Sequence, residues 1–375
     1  MQRPRIHIIS FQRPYPPTYG GVIDMYYKIK ACHELGLYVI LHTFHYNDRA
    51  EQADKLNEIA DEVHYYHRKT SWKMQLSIMP YIVKSRRNTS LLANLIKDDA
   101  PILFEGLHTC GFLNHPQLKE RIKIVRAHNI EHNYYKALAM SPGKIVDRLY
   151  YYLESLKLKR FEKILTNANI IASLNLCEAE HFSKMYPNTE VIFSPVFFNE
   201  QRPPVSACSD YVLYHGNLLV EENVKSALWI IQNVASQIPN VKFVIAGYNP
   251  PSKIKTLAAQ YANITLHDSP TDEEMESLIE KAKLHLLITF QATGVKLKLL
   301  HVLQRHGKVL SNSKMIEGTG LDNYCMVANT PTEIIAKIQS FYTTNVELKP
   351  LPDIYNSRNN IKNLLSHIDY YKNRI

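Results

Sequence analysis

Short apolar runs of strand length alternate with amphipathic segments of helix length along almost the whole chain of 375 residues. Near the N-terminus, Arg5–Phe11 and Tyr38–Phe44 have the composition of strands, and a helix is predicted between them from about Val22 to Leu35. Tyr211–Tyr214 and Val241–Ala246 begin the same alternation again. Because strands and helices that alternate in this way build parallel sheets, the sequence predicts an α/β fold with two Rossmann-like, doubly wound domains.

The stretch from Ser194 to Asp210 separates the two halves. It contains three prolines and few periodic apolar positions, which is typical of a linker. We therefore predict an N-terminal domain over residues 1–198 and a C-terminal domain over residues 199–352. Residues 353–375 carry a predicted helix with an apolar face, which we expect to pack back on the N-terminal domain.

Composition excludes several classes of protein. The first residues lead straight into a strand-like run, so we predict neither a signal peptide nor a transmembrane helix. The five cysteines are scattered, without a C-x-x-C pair or a nearby histidine cluster. This favours reduced thiols in a cytoplasmic protein and indicates no metal site.

The net charge of +9 suggests an anionic partner. No acidic residue occurs from Val63 to Lys97, where lysines and arginines are interleaved with Trp72 and other apolar side chains. This composition predicts peripheral contact with an anionic membrane. The alternative is an ordinary amphipathic segment whose apolar side lies in the core. Nucleic acid is disfavoured, because no recognisable nucleic-acid-binding module accompanies the charge.

The stretch from Ala292 to Asn323 carries the strongest chemical signal. It follows an apolar run, Leu284–Phe290, that predicts a buried strand, and a Thr-Gly loop then leads into a helix that carries Lys296 and Lys298. Helix N-termini and ammonium groups both attract anions, so the pattern predicts a phosphate or diphosphate site. The alternative is a pair of solvated lysines on a helix whose leucines face the core.

The N-terminal half offers two further signals at predicted strand ends. Gly20 and Gly21 follow the first strand and would let a ligand approach the backbone closely, but the G-x-G-x-x-G pattern of dinucleotide redox sites is missing. His108 and His128 lie in predicted loops after two further strands, the first of which ends at Glu105. Side chains beyond the carboxyl ends of parallel strands are candidates for chemistry, although each histidine has an ordinary structural alternative.

Several motifs together resemble those of a known family. They are PPTYGG, RAHNIEHNYY, YHGNL, VKFVIAG, NITLHDSPTDEEMESLI and TGVKLKLLHVLQRHGKVLSN followed by GTGL. In this order they resemble the GT-B fold glycosyltransferases, in particular the family 4-like, group 1 type of bacterial polysaccharide loci. The resemblance implies two domains facing across a cleft and retaining transfer of a hexosyl group from a nucleotide-sugar to a glycan or lipid-linked acceptor. It implies no metal and no cofactor.

The resemblance also implies roles for individual residues. Lys296 and Lys298 would stabilise the leaving diphosphate, and His108 would lie near the transferred sugar. Glu105 and His128 are expected on the acceptor side. The remaining candidates are expected to bind the donor: Gly20, Gly21, Gly216, Asn217, His267, Ser269, Thr293, Gly294 and His301.

Two departures from the family pattern leave alternatives open. The usual Glu-x7-Glu pair is replaced by Thr293 and His301, and a histidine cannot accept two hydrogen bonds as a carboxylate does. The basic residues usual after the Gly-Asn loop are reduced to Lys225. A non-catalytic scaffold with this fold is one alternative. A nucleotide-sugar epimerase is another, and it would need a carboxylate pair such as Glu105 with Glu131 or Glu317.

Overall fold

The computed structural model describes residues 3–45, 53–141, 143–199, 209–291, 296–343, 349 and 351–371. The chain divides into two compact units: the first comprises Met1–Asn199 and Asp353–Ile375, and the second comprises Glu200–Pro352. Each unit is built on a parallel sheet covered by helices. The α/β fold class predicted from the alternation of strands and helices is thereby confirmed.

The first unit contains a seven-stranded sheet in the order β3-β2-β1-β4-β5-β6-β7, and every pair of neighbours is parallel. Its strands are β1 (Arg5–Ser10), β2 (Tyr38–His45), β3 (Glu62–His67), β4 (Ile102–Glu105), β5 (Lys123–Ala127), β6 (Ile170–Ser173) and β7 (Glu190–Phe193). Its first helices are α1 (Gly20–Glu34), α2 (Ala53–Asn57), α3 (Tyr81–Lys84), α4 (Thr89–Leu95), α5 (Glu131–Met140), α6 (Ile145–Phe161) and α7 (Leu176–Met185). Short 3₁₀ turns cover Trp72–Leu76, Leu107–Phe112, Pro116–Leu118 and Glu162–Asn167.

The second unit contains a six-stranded parallel sheet in the order β10-β9-β8-β11-β12-β13. Its strands are β8 (Ser209–His215), β9 (Phe243–Gly247), β10 (Ile264–Asp268), β11 (Ala282–Leu287), β12 (Val309–Ser311) and β13 (Met326–Val327). Its helices are α8 (Glu221–Asn233), α9 (Ser252–Ala258), α10 (Asp272–Lys281), α11 (Leu297–Gln304), α12 (Ser313–Ile316) and α13 (Pro331–Thr343), with a 3₁₀ turn at Ala235–Gln237. A further 3₁₀ turn, Asp353–Tyr355, and helix α14 (Ser357–Ser366) return to the first unit.

Strand order fixes where a ligand can bind in each unit. The order reverses between β1 and β4 in the first sheet and between β8 and β11 in the second. At such a switch point the two following loops run to opposite faces and leave a crevice at the carboxyl ends of the strands. The loops that carry most candidate residues therefore begin at these two places.

The core of the first unit lies on both faces of its sheet. Ile6 and Ile8 of β1 pack in one apolar cluster, whereas Ile9 packs in another, as successive side chains of a strand point to opposite faces. Ile361 and Leu364 of α14 belong to the same cluster as Ile6. The last helix thus completes the core of the first unit.

The structure corrects several predicted boundaries. The strand predicted over Leu284–Phe290 ends at Leu287, because the Glu222 side chain accepts hydrogen bonds from the backbone N–H groups of Phe290 and Gln291 and holds them in a loop. The loop predicted to carry His108 is partly helical, whereas His128 does lie in a loop. His108 lies in the turn Leu107–Phe112, and α5 begins at Glu131.

The basic segment from Val63 to Lys97 is not one continuous surface. Arg68 and Arg86 are buried, and Ile82 and Val83 lie in the core. The core alternative therefore holds for much of this segment, while Trp72 remains exposed. Among the described helices, none combines the length and apolar character that crossing a bilayer requires.

Candidate functional site

The second unit gathers two lysines at the carboxyl end of its sheet. Lys298 Nζ donates a hydrogen bond to Asn223 Oδ1 at 3.2 Å and lies 4.9 Å from the centre of the Tyr214 ring. Lys296 Nζ donates to the Gln291 carbonyl at 3.0 Å. Burial, followed by the charge of Lys296, lowers the pKa of Lys298 to about 8, and burial also lowers the pKa of Lys296. Two partly desolvated ammonium groups in one place favour an anionic ligand.

The loop after β8 is tied to these lysines through Asn223. Asn223 Nδ2 donates to the Asn217 carbonyl at 2.9 Å, while its Oδ1 accepts from Lys298. A Cβ at position 216 would lie 3.2 Å from the Asn223 side chain. Gly216 therefore leaves Asn223 the room to connect the Gly-Asn loop with Lys298.

Glu222 holds the loop on the other side of the switch point. One carboxylate oxygen accepts from the Thr289 hydroxyl at 2.9 Å and from the backbone N–H groups of Phe290 and Gln291. The same carboxylate favours the charged forms of both lysines. Thr293 and Gly294, which were predicted in the loop that leads into helix α11, lie outside the described residues.

His267 and Ser269 lie at the carboxyl end of β10. His267 pairs with Ala246 of β9, which in turn pairs with His215 of β8, so the loop is two strands away from the Gly-Asn loop. Ser269 has a positive φ of 53°, and its hydroxyl accepts a hydrogen bond from the Asn249 backbone N–H at 2.9 Å. The turn is thus fixed from within, with its side chains partly exposed.

His301 has a partner that the sequence did not predict. Its Nε2 lies 3.2 Å from Glu276 Oε1 of α10, and the other oxygen of Glu276 accepts from Arg305. Burial, followed by Arg305, lowers the pKa of His301, whereas Glu276 opposes that shift. A carboxylate is therefore present next to position 301, contributed by a neighbouring helix.

The first unit has a buried charged cluster beneath its switch point. Lys28 Nζ lies 2.7 Å from Asp24 Oδ2 and 2.8 Å from Glu105 Oε1, and Arg126 Nη2 lies 2.7 Å from Asp24 Oδ1. His128 Nε2 is hydrogen-bonded to Glu105 Oε2 at 3.0 Å. Burial would raise the pKa of Asp24, but Arg126 and Lys28 outweigh it and hold the pKa well below its ordinary value. Burial would also raise the pKa of Glu105, but Lys28 and His128 outweigh it and lower that pKa.

Among the residues that the structure describes, Asp24, Glu105 and His128 could also hold a metal ion, since one ligand atom of each lies within 4.8 Å of the others. The charges of the two carboxylates are already balanced by Lys28 and Arg126, both fully buried. A divalent cation would have to displace them. The donor set therefore fits a structural ion-pair network better than a metal centre.

Above this cluster, His108 and Glu131 face each other with unsatisfied polar atoms. His108 Nδ1 lies 3.8 Å from Glu131 Oε1, and in the described part of the chain neither of these buried atoms has a hydrogen-bond partner. Burial, followed by Glu162 and Glu178, raises the pKa of Glu131 to about 8, and burial lowers the pKa of His108 well below its ordinary value. Both groups are therefore neutral near pH 7, and each can exchange a hydrogen bond with a hydroxyl group.

Glycines keep this region open. A Cβ at position 21 would lie 3.2 Å from the Phe11 ring and 3.8 Å from His128 Nδ1, and Gly20 and Gly21 begin α1 without a side-chain cap. Gly106 has a φ of 67°, and a Cβ there would lie 2.9 Å from His108 Nδ1. Gly21, Gly106, His108 and His128 thus meet at the β1/β4 switch point.

Sequence reasoning missed several of these residues. Asp24 and Lys28 are ordinary positions of an amphipathic helix in the sequence, and Glu222 and Asn223 carry no motif of their own. Glu276 lies in the motif NITLHDSPTDEEMESLI, but that motif did not indicate its contact with His301. The one available signal was the adjacency of Glu222 and Asn223 to the Gly-Asn loop at the start of a helix, where polar side chains commonly bind neighbouring loops.

Comparisons with known proteins find relatives of the second unit and of the whole chain. Residues 209–344 match the model of the family described as Glycosyl transferases group 1. A protein of Klebsiella pneumoniae described as an uncharacterized 44.6 kDa protein in a cps region is 27% identical over 363 residues, which cover 91% of this chain and 92% of the relative.

Solved structures share the fold across the chain. Sucrose-phosphate synthase from Thermosynechococcus elongatus has a TM-score of 0.61 at 13% identity, covering 99% of this chain and 96% of that chain. A variant of S. aureus TarM, in complex with Fondaparinux, alpha-GlcNAc-glycerol and UDP, has a TM-score of 0.61 at 11% identity, covering 99% of both chains. The protein thus has the GT-B fold, and its second unit matches the family of group 1 glycosyl transferases.

Proposed function

We propose that this protein transfers a hexosyl group from a nucleotide-sugar to a glycan or lipid-linked acceptor in the cytoplasm, during the synthesis of a polysaccharide. The observation that carries this proposal is the position of Lys296 and Lys298 beside the Gly216-Asn217 loop, at the switch point of the second sheet. The relative from a cps region supports the polysaccharide class. TarM, whose structure contains UDP, supports a nucleoside diphosphate as the leaving group.

In the proposed reaction, the bond between the anomeric carbon and the diphosphate oxygen breaks, and the acceptor oxygen forms a new bond to that carbon. The leaving diphosphate gains negative charge, and Lys296 and Lys298 stabilise it electrostatically. Preorganised groups of this kind contribute about 3–4 kcal/mol each in well-studied enzymes. We propose that this charge replaces a metal ion, and that the anomeric configuration is retained.

We propose that the transferred sugar and the acceptor bind to the first unit. Among the described residues, the buried atoms His108 Nδ1 and Glu131 Oε1 have no hydrogen-bond partner, and a sugar hydroxyl that came within hydrogen-bonding distance of both would satisfy them. In this proposal His128 contributes at the acceptor side, whereas Glu105 orients His128. Gly20 and Gly21 admit the donor near the start of α1.

In the second unit we propose that the loop of His267 and Ser269 meets the nucleobase. His301 and Glu276 together would take the place of the single glutamate usual in relatives, with Glu276 supplying the carboxylate. This would preserve donor binding despite the departure at position 301.

The test is a transfer assay with the intact protein, radiolabelled UDP-, GDP-, ADP- and CMP-sugars, and a lipid and glycan extract as acceptor. We expect label to enter the extract with one donor class, without loss on addition of EDTA, and nuclear magnetic resonance of the product gives its anomeric configuration. An isomerised nucleotide-sugar without transfer would identify an epimerase. Calorimetry showing no binding of any nucleotide would identify a non-catalytic scaffold.

A further inference from the structure

Helix α6 presents an apolar face to solvent. Six of its large apolar side chains have exposed fractions between 46% and 81%. At about 100° per residue they fall within an arc of about 120° around the helix. These residues, called the α6 face from here on, are Ile145, Val146, Leu149, Tyr152, Leu153 and Leu156.

The opposite side of the same helix packs against the protein. Glu154, Ser155 and Leu158 are buried, and they lie about half a turn away from the α6 face. A surface helix normally turns its apolar side inward and its polar side to water. Helix α6 buries Leu158 but leaves six large apolar side chains in water, and an exposed apolar patch of this kind is typical of an interaction surface.

A neighbouring turn extends the α6 face. Trp72, Leu76 and Ile78 are 68%, 77% and 88% exposed. Lys157 of α6 donates to the Gln75 carbonyl of this turn, and the backbone N–H of Tyr81 donates to Glu154 at 2.7 Å. These bonds hold the turn alongside α6, so the two sets of apolar side chains share one surface.

The charges around this surface are mostly positive. Arg148, Lys159 and Arg160 are exposed on α6. Of the two acidic residues of this helix, Glu154 is buried and paired with Lys157 at 2.8 Å, which leaves Asp147 exposed. The adjoining segment from residue 63 to residue 97 has no acidic residue.

We propose that the first unit docks on a bilayer that contains anionic phospholipid, with the α6 face and the turn at Trp72 inserted at the headgroup level. Apolar side chains with a basic rim match the chemistry of such a surface, and tryptophan is favoured at membrane interfaces. A second copy of the chain is a poorer partner, because self-pairing of this face would bring its basic residues together. The docking is independent of the sugar donor.

The test is co-sedimentation of the full-length protein with vesicles of phosphatidylcholine alone or of phosphatidylcholine mixed with phosphatidylglycerol. We expect binding to the mixed vesicles only. The triple variant Ile145→Ser, Val146→Ser, Leu149→Ser keeps the charge and is expected to bind at least about tenfold more weakly. The double variant Lys159→Gln, Arg160→Gln is expected to reduce binding and its sensitivity to salt.

Met185→Ser is the matched control, since Met185 is 58% exposed on α7 and lies outside the α6 face. It should bind like the unmodified protein, and circular dichroism should show native folding for all variants. Unchanged binding of the triple variant, or no binding of the unmodified protein to mixed vesicles, would overturn the proposal. The proposal would also be overturned if sedimentation velocity showed a dimer of the unmodified protein and a monomer of the triple variant. The α6 face would then join two copies of the chain.

Tryptophan fluorescence gives a second readout. The chain has two tryptophans, and Trp229 packs against Phe290 in the second unit. In a Trp229→Phe variant the emission comes from Trp72 and should shift to shorter wavelength when mixed vesicles are added. Emission that stays constant while the protein sediments with vesicles would place another surface on the membrane and refute the assignment.

Discussion

Lys298 donates a hydrogen bond to Asn223 across 3.2 Å, and through it the start of α11 is joined to the loop after β8. Asn223 in turn donates to the Asn217 carbonyl. The two loops of the switch point are thus held together by one amide side chain, with the ammonium group at their meeting point. This relationship leads to predictions about charge, loop geometry and pH.

The affinity for nucleoside diphosphates should decrease as the pH rises through about 8. Lys298 has its pKa lowered to about 8, mainly by burial, so its ammonium form is lost above that pH. Since a bound diphosphate favours the charged form, binding at pH 8.5 should take up a fraction of a proton. Titration calorimetry in buffers of different ionisation enthalpy measures this uptake. Lys298→Arg should remove it, because a guanidinium stays charged, and equal uptake in this variant would contradict the assignment.

Glu222→Gln should weaken donor binding several-fold. Its carboxylate accepts hydrogen bonds from the Thr289 hydroxyl and the Gln291 N–H. Hydrogen bonds to a charged group contribute about 1.5–3 kcal/mol each. The substitution also removes a charge that favours both ammonium groups, so the decline in affinity should begin at lower pH. Glu221→Gln, at an exposed neighbouring position, is the control. Identical pH profiles for the two variants would show that Glu222 does not act on the lysines.

Asp24→Asn should lower the free energy of unfolding by about 3–5 kcal/mol, because it leaves the buried charges of Lys28 and Arg126 poorly compensated. Denaturant titration at pH 7 measures this difference. Glu34→Gln is the control on the same helix, since its partner Lys30 is 3.7 Å away and both side chains are exposed. It should change stability by no more than about 0.5 kcal/mol. Equal effects of the two substitutions would argue against a buried ion-pair network.

Glu131→Gln should change how stability depends on pH. The carboxyl has a pKa near 8 in the folded protein against an ordinary value of 4.5. Between these values the folded state holds a proton that the unfolded chain has released, so the unfolding free energy falls as pH rises, by at most about 1.4 kcal/mol per pH unit. The glutamine variant lacks this decline and should gain on the unmodified protein from pH 5 to pH 8. Parallel stability curves across that range would contradict a neutral Glu131.

The general architecture could be predicted from local patterns. Apolar runs such as those of β1 and β9 are buried on both faces, which only a covered parallel sheet provides. The ends of the predicted strands then indicated His108, His128, Lys296 and Lys298 as candidates, since functional side chains in such sheets lie beyond the carboxyl ends of the strands.

The partners of these residues could not be predicted in the same way. Lys28 meets Glu105 over a separation of 77 residues, and Arg126 meets Asp24 over a separation of 102 residues. No local periodicity encodes such pairs, because each side chain is compatible with an exposed position in its own helix or strand. The Glu276 carboxylate beside His301 was missed for the same reason.

The most direct test of the central claim is titration calorimetry of Lys298→Met with the nucleoside diphosphate that the unmodified protein binds best. We expect a dissociation constant at least about tenfold higher, corresponding to a loss of about 1.4 kcal/mol. Lys242→Met, at an exposed position on the amino side of β9, should bind like the unmodified protein. If Lys298→Met binds the nucleotide as tightly as the unmodified protein does, Lys298 does not hold the diphosphate and the proposed donor site is wrong.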